Sequence, residues 1–315
     1  TFAATNPYAD FVILQFTGTF QKNITYTLTV SNLKDCSGNL ISNTTTVKVA
    51  IADTANDADL LINEILFNPY NGGYDFVELY NNSNKIFDLR GLKIANADLA
   101  TDTLNDIYEI TSDNLLLFPG DYLAITENPD DIKLRYSTPN PNRIIKAINL
   151  PAFNDDEGKV VLLNENFKRI DQFRYSDKFH YPLINDAEGV SLERLSFTRP
   201  TQDSTNWQSA AQTVGFATPA YKNSQAMEAG SSNENIEIIP RVFSPDEDGY
   251  NDVLSIRYHF NEPGLVVNAT VFDSRGRIIQ YVARNVFVGE DATLSWNGIN
   301  LDNEKAKIGI YVLYS

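Results

Sequence analysis

Asp246, Asp248, Asn251 and Asp252 lie within seven residues, with Gly249 among them. Hard oxygen donors at that density can converge on Ca²⁺ at about 2.3–2.6 Å, and glycine permits the sharp bend that brings them round. The spacing D-x-D-G-x-N-D has no distant bidentate glutamate of the EF-hand kind, so a calcium loop here is of a different and weaker type. The same residues also suit an Asx-turn network, in which each side chain hydrogen-bonds its own backbone. A second acidic turn, Asp155-Asp156-Glu157-Gly158, reads as a solvated loop.

Two more acids sit inside apolar runs. Leu61-Ile-Asn-Glu-Ile-Leu-Phe-Asn-Pro-Tyr is followed at once by Asn71-Gly-Gly-Tyr-Asp-Phe-Val-Glu-Leu-Tyr-Asn81. A hairpin explains the spacing and sets Glu64 and Glu78 face to face. Paired carboxylates can hydrolyse glycosides without histidine. The structural alternative is that these acids hydrogen-bond loops or pair with an arginine, and Arg194 of Ser191-Leu-Glu-Arg is the natural partner. Of the two histidines, His180 lies in the aromatic loop Asp177-Lys-Phe-His-Tyr-Pro and His259 in the strand-like Arg257-Tyr-His-Phe. Nucleophile-elbow, zincin, Cys/His metal and phosphate-loop spacings do not occur in the sequence. The reading is a non-enzymatic chain without a catalytic residue.

Trp207 and Trp296 follow strand-like patterns and read as core plugs, with a sugar-stacking platform as the alternative. Tyr70, Tyr74, Tyr136 and Tyr181 fall in loops and suit an exposed recognition surface, since tyrosine offers area and a hydroxyl at low entropic cost.

The elements that position these residues are strands. Hydrophobic residues at 43% and aromatics at 11% fit a folded chain, and dense Asn, Asp and Thr with few 3.6-period patterns favour strands joined by turns. The 315 residues predict two or three domains. A net charge of −16 argues against a nucleic-acid partner and against anionic lipid; it reads as solubility, or in part as carboxylates that collect Ca²⁺. The single cysteine, Cys36, excludes an intrachain disulfide but leaves export open. No segment is apolar for long enough to be a transmembrane helix, and no signal-peptide pattern opens the chain. Its start at Thr1 and its end in the strand-like Tyr311–Ser315 suggest a piece of a longer protein.

Phe11–Phe16, Ile24–Val30 and Thr44–Ala50 read as three strands of a first segment, residues 1–52. Residues 57–224 form the second, with one short helix begun by Asn128-Pro129. The Gly/Ser-rich stretch from Lys222 to Asn235 reads as a linker, placed at 225–235, before a third segment at 236–315.

Three resemblances follow. Tyr26-Thr-Leu-Thr-Val-Ser-Asn-Leu-Lys-Asp-Cys-Ser-Gly-Asn resembles the second half of bacterial Ig-like domains. The hairpin above resembles the opening of a lamin tail domain. Asp88-Leu-Arg-Gly-Leu-Lys-Ile, Phe118-Pro-Gly-Asp-Tyr-Leu-Ala-Ile, Gly189-Val-Ser-Leu-Glu-Arg, Asn206-Trp and Ala217-Thr-Pro-Ala then continue that pattern in order. Val271-Phe-Asp-Ser-Arg-Gly-Arg-Ile-Ile, Leu294-Ser-Trp-Asn-Gly and Ile308-Gly-Ile-Tyr-Val resemble FlgD-type Ig-like modules. With Phe243-Ser-Pro-Asp-Glu-Asp-Gly-Tyr-Asn-Asp, the end of the chain is similar to type IX secretion cargo of Bacteroidota, although Asp246-Glu247 departs from the usual Asn-Gly.

The resemblances imply an all-β chain of serial Ig-like β-sandwiches that binds and scaffolds. They place it outside a Gram-negative cell, secreted or on the surface, with a protein or glycan partner. Two other implications are accessory domains of a secreted hydrolase and a subunit docked on an outer-membrane β-barrel. Asp53-Thr54-Ala, Asp102-Thr103-Leu and Asp203-Ser204-Thr match the O-glycosylation acceptor pattern of the same bacteria, at Thr54, Thr103 and Ser204. The N-x-S/T matches at Asn23, Asn43, Asn81 and Asn268 carry little weight in a bacterial protein.

Overall fold

A computed structural model describes residues 2–3, 13–32, 34, 37–40, 45–182, 184, 186–227 and 235–315. The amino-terminal segment contributes two antiparallel pairs, β1 (Phe2–Ala3) with β2 (Ile13–Leu14) and β3 (Tyr26–Val30) with β4 (Thr45–Val49). Along β3, Tyr26, Leu28 and Val30 are half-buried while Thr27 and Thr29 are exposed, the period of a strand with one covered face. Phe11, Val12, Cys36 and Asn43 lie outside the described residues, and an antiparallel bridge between Lys34 and Leu40 brackets the expected turn. Asn23 joins this segment to the next. Its amide donates to Asp53 Oδ2 at 3.0 Å and its Oδ1 accepts the Ile86 N–H at 2.9 Å.

The central sandwich begins with the predicted hairpin, β5 (Leu60–Leu66) and β6 (Phe76–Asn81). Then follow β7 (Phe87–Asp88), β8 (Lys93–Ala97), β9 (Leu104–Glu109), β10 (Leu116–Leu117) and β11 (Tyr122–Thr126). The one α-helix among the described residues, α1 (Pro129–Arg135), starts as its sequence directs: the Asn128 side chain accepts the Asp131 N–H and proline takes the first turn. After it come β12 (Ile144–Lys146), β13 (Glu157–Leu163), β14 (Arg169–Ser176), β15 (Leu192–Arg194) and β16 (Trp207–Ser209).

These strands form a six-stranded sheet, order β12-β11-β6-β5-β15-β16, against a four-stranded sheet, order β14-β13-β8-β9. The apolar faces meet through Ile62, Ile65, Val77, Leu79, Ile125 and Leu192 on one side and Ile94, Val160, Leu162, Phe173 and Tyr175 on the other. The larger sheet is covered on its outer face too. There Leu66, Phe76 and Ala124 pack under Ile132 and Tyr136 of the helical segment and under Ala217 and Ala220 of a strap, residues 216–225. Every residue of β5 is therefore buried.

The carboxy-terminal sandwich pairs β17 (Asn235–Ile239), β18 (Leu254–His259) and β21 (Asp291–Trp296) against β20 (Ile278–Val288), β19 (Leu265–Asp273) and β22 (Tyr311–Tyr314). Ile256, Val271, Val288 and Trp296 lie in its core. The chain is all-β, built of Ig-like β-sandwiches. No helix of the described residues is long and apolar enough to cross a membrane.

The composition of Lys222–Asn235 reads as a linker, and its first residues are packed. Asn223 and Gln225 are buried, and the Met227 N–H donates to Leu195 O. Residues 228–234 lie outside the described set. The strap also carries the carboxy-terminal sandwich. The Glu290 N–H donates to Ser224 O at 2.9 Å, Gln225 donates to Val288 O at 3.2 Å, and the Gly264 N–H donates to Gln225 Oε1 at 3.0 Å. Gly289 is required by this approach, since a Cβ there would overlap the Ser224 backbone.

Candidate functional site

Glu64 and Glu78 face each other across the hairpin, and a third acid, Glu193 of β15, pairs with Glu64 on the other side. A bulge explains the row. Asn63 is the extra residue between the Ile62–Leu79 and Glu64–Glu78 pairs, so the chain slips by one and turns Glu64 from the core to the outer face. Glu193 alternates with Leu192 and Arg194 and points the same way. All three carboxyls are fully buried under the strap.

The strap residues and their neighbours satisfy them. Glu64 accepts from Ser191 Oγ and from the Thr218 N–H (2.8 Å). Glu78 accepts from Asn63 Nδ2 (2.8 Å) and the Ala220 N–H. Glu193 accepts from Thr218 Oγ1 (2.6 Å), Ser224 Oγ (2.8 Å) and the Gln225 N–H (2.9 Å). These donors are neutral, and burial dominates: it pushes Glu64 up to about 8 with help from Glu193, raises Glu78 well above the usual range with help from Glu64, and raises Glu193.

Arg194 is not the partner of these acids. It lies on the opposite face of β15, where Nε donates to Ile62 O (2.9 Å) and Nη2 to Thr201 Oγ1 and Asp171 Oδ2 (3.4 Å). Asp171 Oδ2 also takes the Ile62 N–H at 2.8 Å. Burial raises Asp171 in spite of Arg194 and lowers Arg194 to about 10, so the guanidinium stays charged at neutral pH.

A recess of about 420 Å³ opens beside the hairpin turn, lined by Pro69, Tyr74, Asp75, Glu127, Pro151 and Asp155, among others. Burial raises Asp75 to about 8, with Asp155 and Glu127 adding their charge. Glu127 Oε1 is held by the Leu150 N–H at 2.9 Å. Three separate loops supply these carboxylates.

In the Asp246–Asp252 loop, carboxylate oxygens of Asp246, Asp248 and Asp252 lie within 4.8 Å of one another. The same groups hold the loop's backbone. Asp252 takes the Glu247 (2.6 Å) and Gly249 (2.8 Å) N–H groups, Asp248 takes that of Tyr250, and Asn251 enters through its carbonyl, which accepts from Ser244 N–H.

The other singled-out residues divide. Trp207 and Trp296 are core, 4% and 3% exposed. Tyr70 and Tyr74 are exposed, but Tyr136 is buried with its hydroxyl on Gly189 O, and Tyr181 stacks on Phe287 of the carboxy-terminal sandwich at 4.5 Å. His180 is buried against Ser209 and Phe67 and is held down to about 4 by desolvation, whereas half-buried His259 pairs with Asp291. Thr54, Thr103 and Ser204 are all exposed. Glu193 and Asp75 had gone unread. Strand alternation through Leu192-Glu-Arg carried the signal for Glu193, while nothing in the sequence brings Asp75, Glu127 and Asp155 together.

The lamin tail domain family matches residues 53–177. That family is an Ig-like, non-catalytic one, in keeping with the central sandwich. The match ends before β15, so Glu193 and the strap lie beyond it although β15 belongs to the same sheet and the strap covers it. Among solved structures, a DUF4876 family protein from Bacteroides thetaiotaomicron is similar at 14% identity and a TM-score of 0.33, over 67% of this chain and 91% of that one. No curated protein matches.

Proposed function

We propose that this chain is a non-enzymatic binding and scaffolding protein of the cell exterior, with the lamin-tail-like sandwich as its binding module. The observation that carries the reading is how the acids are used. Those of the buried row are bound up in holding the strap, and those of the recess line a cleft walled by proline and tyrosine, with its carboxylates supplied by three separate loops. Such a cleft suits a cationic side chain of a protein partner, a lysine or arginine entering between Asp75, Glu127 and Asp155. Entry of a cation favours ionised Asp75, so binding releases a proton and tightens as pH rises through about 8. Calorimetry with tetralysine in two buffers of different ionisation enthalpy tests this. The expected result is proton release on binding, and about tenfold weaker binding in Asp75→Asn. Equal affinity in the variant would end the assignment of the recess.

Ca²⁺ binding at Asp246, Asp248, Asn251 and Asp252 belongs to the same reading, as a stiffener of an exposed loop. Calorimetric titration of the whole chain with Ca²⁺ should give a heat that disappears in Asp246→Ala/Asp248→Ala. A wild type without heat removes calcium from the account. Export through the type IX route is supported by the resemblance of the carboxy-terminal segment and by the exposure of Thr54, Thr103 and Ser204. Glycan mass on these three residues in protein recovered from the producing cell's exterior checks it, and unmodified intracellular chain would count against it.

A further inference from the structure

Thr218 Oγ1 lies 2.6 Å from Glu193 Oε1 and 3.3 Å from Glu64 Oε2. A hydroxyl has one hydrogen. If Thr218 donates it to Glu193, the contact with Glu64 is favourable only when Glu64 carries a proton and donates in turn. The geometry thus assigns a directed chain: Glu64 carboxylic acid to Thr218 hydroxyl to Glu193 carboxylate. Glu193 suits the ionised role, since Ser224 Oγ and the Gln225 N–H also donate to it. Glu78 completes the row at the next strand position.

This chain of hydrogen bonds sits at a mechanical junction. The residues it fixes, Thr218, Ala220, Ser224 and Gln225, belong to the strap that hydrogen-bonds the carboxy-terminal sandwich on its other side. We propose that the Glu64–Thr218–Glu193 chain, with Glu78, is a proton-dependent latch: protonated, it seats the strap and docks the carboxy-terminal sandwich; ionised, it releases both.

Among the described residues, the groups set against the row are neutral tyrosines or cations paired with other acids. The strap brings Tyr221, whose hydroxyl is kept neutral by burial and then by Glu64, Glu193 and Glu78. The end of α1 brings Tyr136, kept neutral by burial, Tyr70 and Glu64. Lys222 of the strap pairs with Glu290 of the carboxy-terminal sandwich at 3.3 Å, and Arg194 of β15 is committed to Asp171 on the opposite face. The sign follows. Folding raises the glutamates above their unfolded value, so their contribution is complete below about 4.5 and is lost as pH rises through about 8.

Amide hydrogen exchange of the intact chain between pH 6 and pH 9, corrected for intrinsic rates, tests the latch. The N–H groups of Thr218, Ala220 and Gln225 should lose about tenfold or more in protection over that range, while amides of β13 and β14 keep theirs. The radius of gyration from small-angle scattering should rise in step. Glu64→Gln supplies the Thr218 hydroxyl with a permanent neutral donor and should weaken the pH dependence at Thr218 and Gln225, leaving the part that Glu78 contributes at Ala220. The proposal is overturned if the strap amides stay protected at pH 9, if they are lost together with β13 and β14, or if Glu64→Gln behaves as wild type. Should that variant fail to fold, the wild-type comparison of strap with β13 and β14 still decides.

Discussion

Arg194→Ala is expected to lower the unfolding free energy by about 3–5 kcal/mol, the cost of leaving one member of a buried ion pair alone. The size comes from what the guanidinium does at once. It donates to Ile62 O, Arg199 O, Thr201 Oγ1 and Asp171 Oδ2, and it lies 5.3 Å over the Trp207 ring. Removing it strands Asp171, whose Oδ2 must still hold the Ile62 N–H. The pair also ties β14 to β15 and β5, which belong to opposite sheets, so the loss falls on the sandwich rather than on one loop. Urea unfolding of wild type and variant measures it. A shift under about 1 kcal/mol would mean that water reaches Asp171 and replaces the arginine. Replacing both partners, Arg194→Met with Asp171→Leu, is expected to recover only part of the loss, because it removes the unpaired charge but leaves the Ile62 N–H and C=O without these partners.

That arginine shows how far the sequence could be read. The hairpin was legible because its apolar alternation and its Asn-Gly-Gly turn are local, and the Asn128-Pro129 helix start was legible for the same reason. Opposition of Glu64 and Glu78 was legible in outcome only. Alternation alone puts Glu64 on the core side with Ile62, and the Asn63 bulge that turns it outward leaves no mark in composition. Pairing Arg194 with these acids failed on strand geometry, since Glu193 joins them and its neighbour must point away. Packing at the start of Lys222–Asn235 was not legible, because Ser and Asn suit both a flexible linker and a strap whose side chains hydrogen-bond buried groups. The recess was out of reach, being assembled from turns near residues 75, 127 and 155 whose proximity only the folded sheet creates.

Trp207→Ala should cost a similar amount, about 3–5 kcal/mol, through lost burial and an unfilled cavity. The indole is stacked on Phe173 with ring centroids 3.7 Å apart and an interplanar angle of 15°, and its Nε1 donates to Thr201 O at 2.8 Å. Phe173 belongs to β14 and Trp207 to β16, so this stack closes the sandwich at its β16 edge while the Arg194–Asp171 pair pins the strand beside it. Thr201 serves both, giving its carbonyl to the indole and its hydroxyl to the guanidinium. The two losses should therefore not add. A double-mutant cycle of Arg194→Ala and Trp207→Ala, read by denaturant unfolding, is expected to show a coupling of about 0.5–3 kcal/mol, with the double variant less impaired than the sum. Strict additivity would mean that the 199–203 segment answers to each anchor separately. The same variant decides the older alternative for this residue: a sugar platform keeps its fold when the indole is removed and loses only ligand, whereas a core plug loses the sandwich.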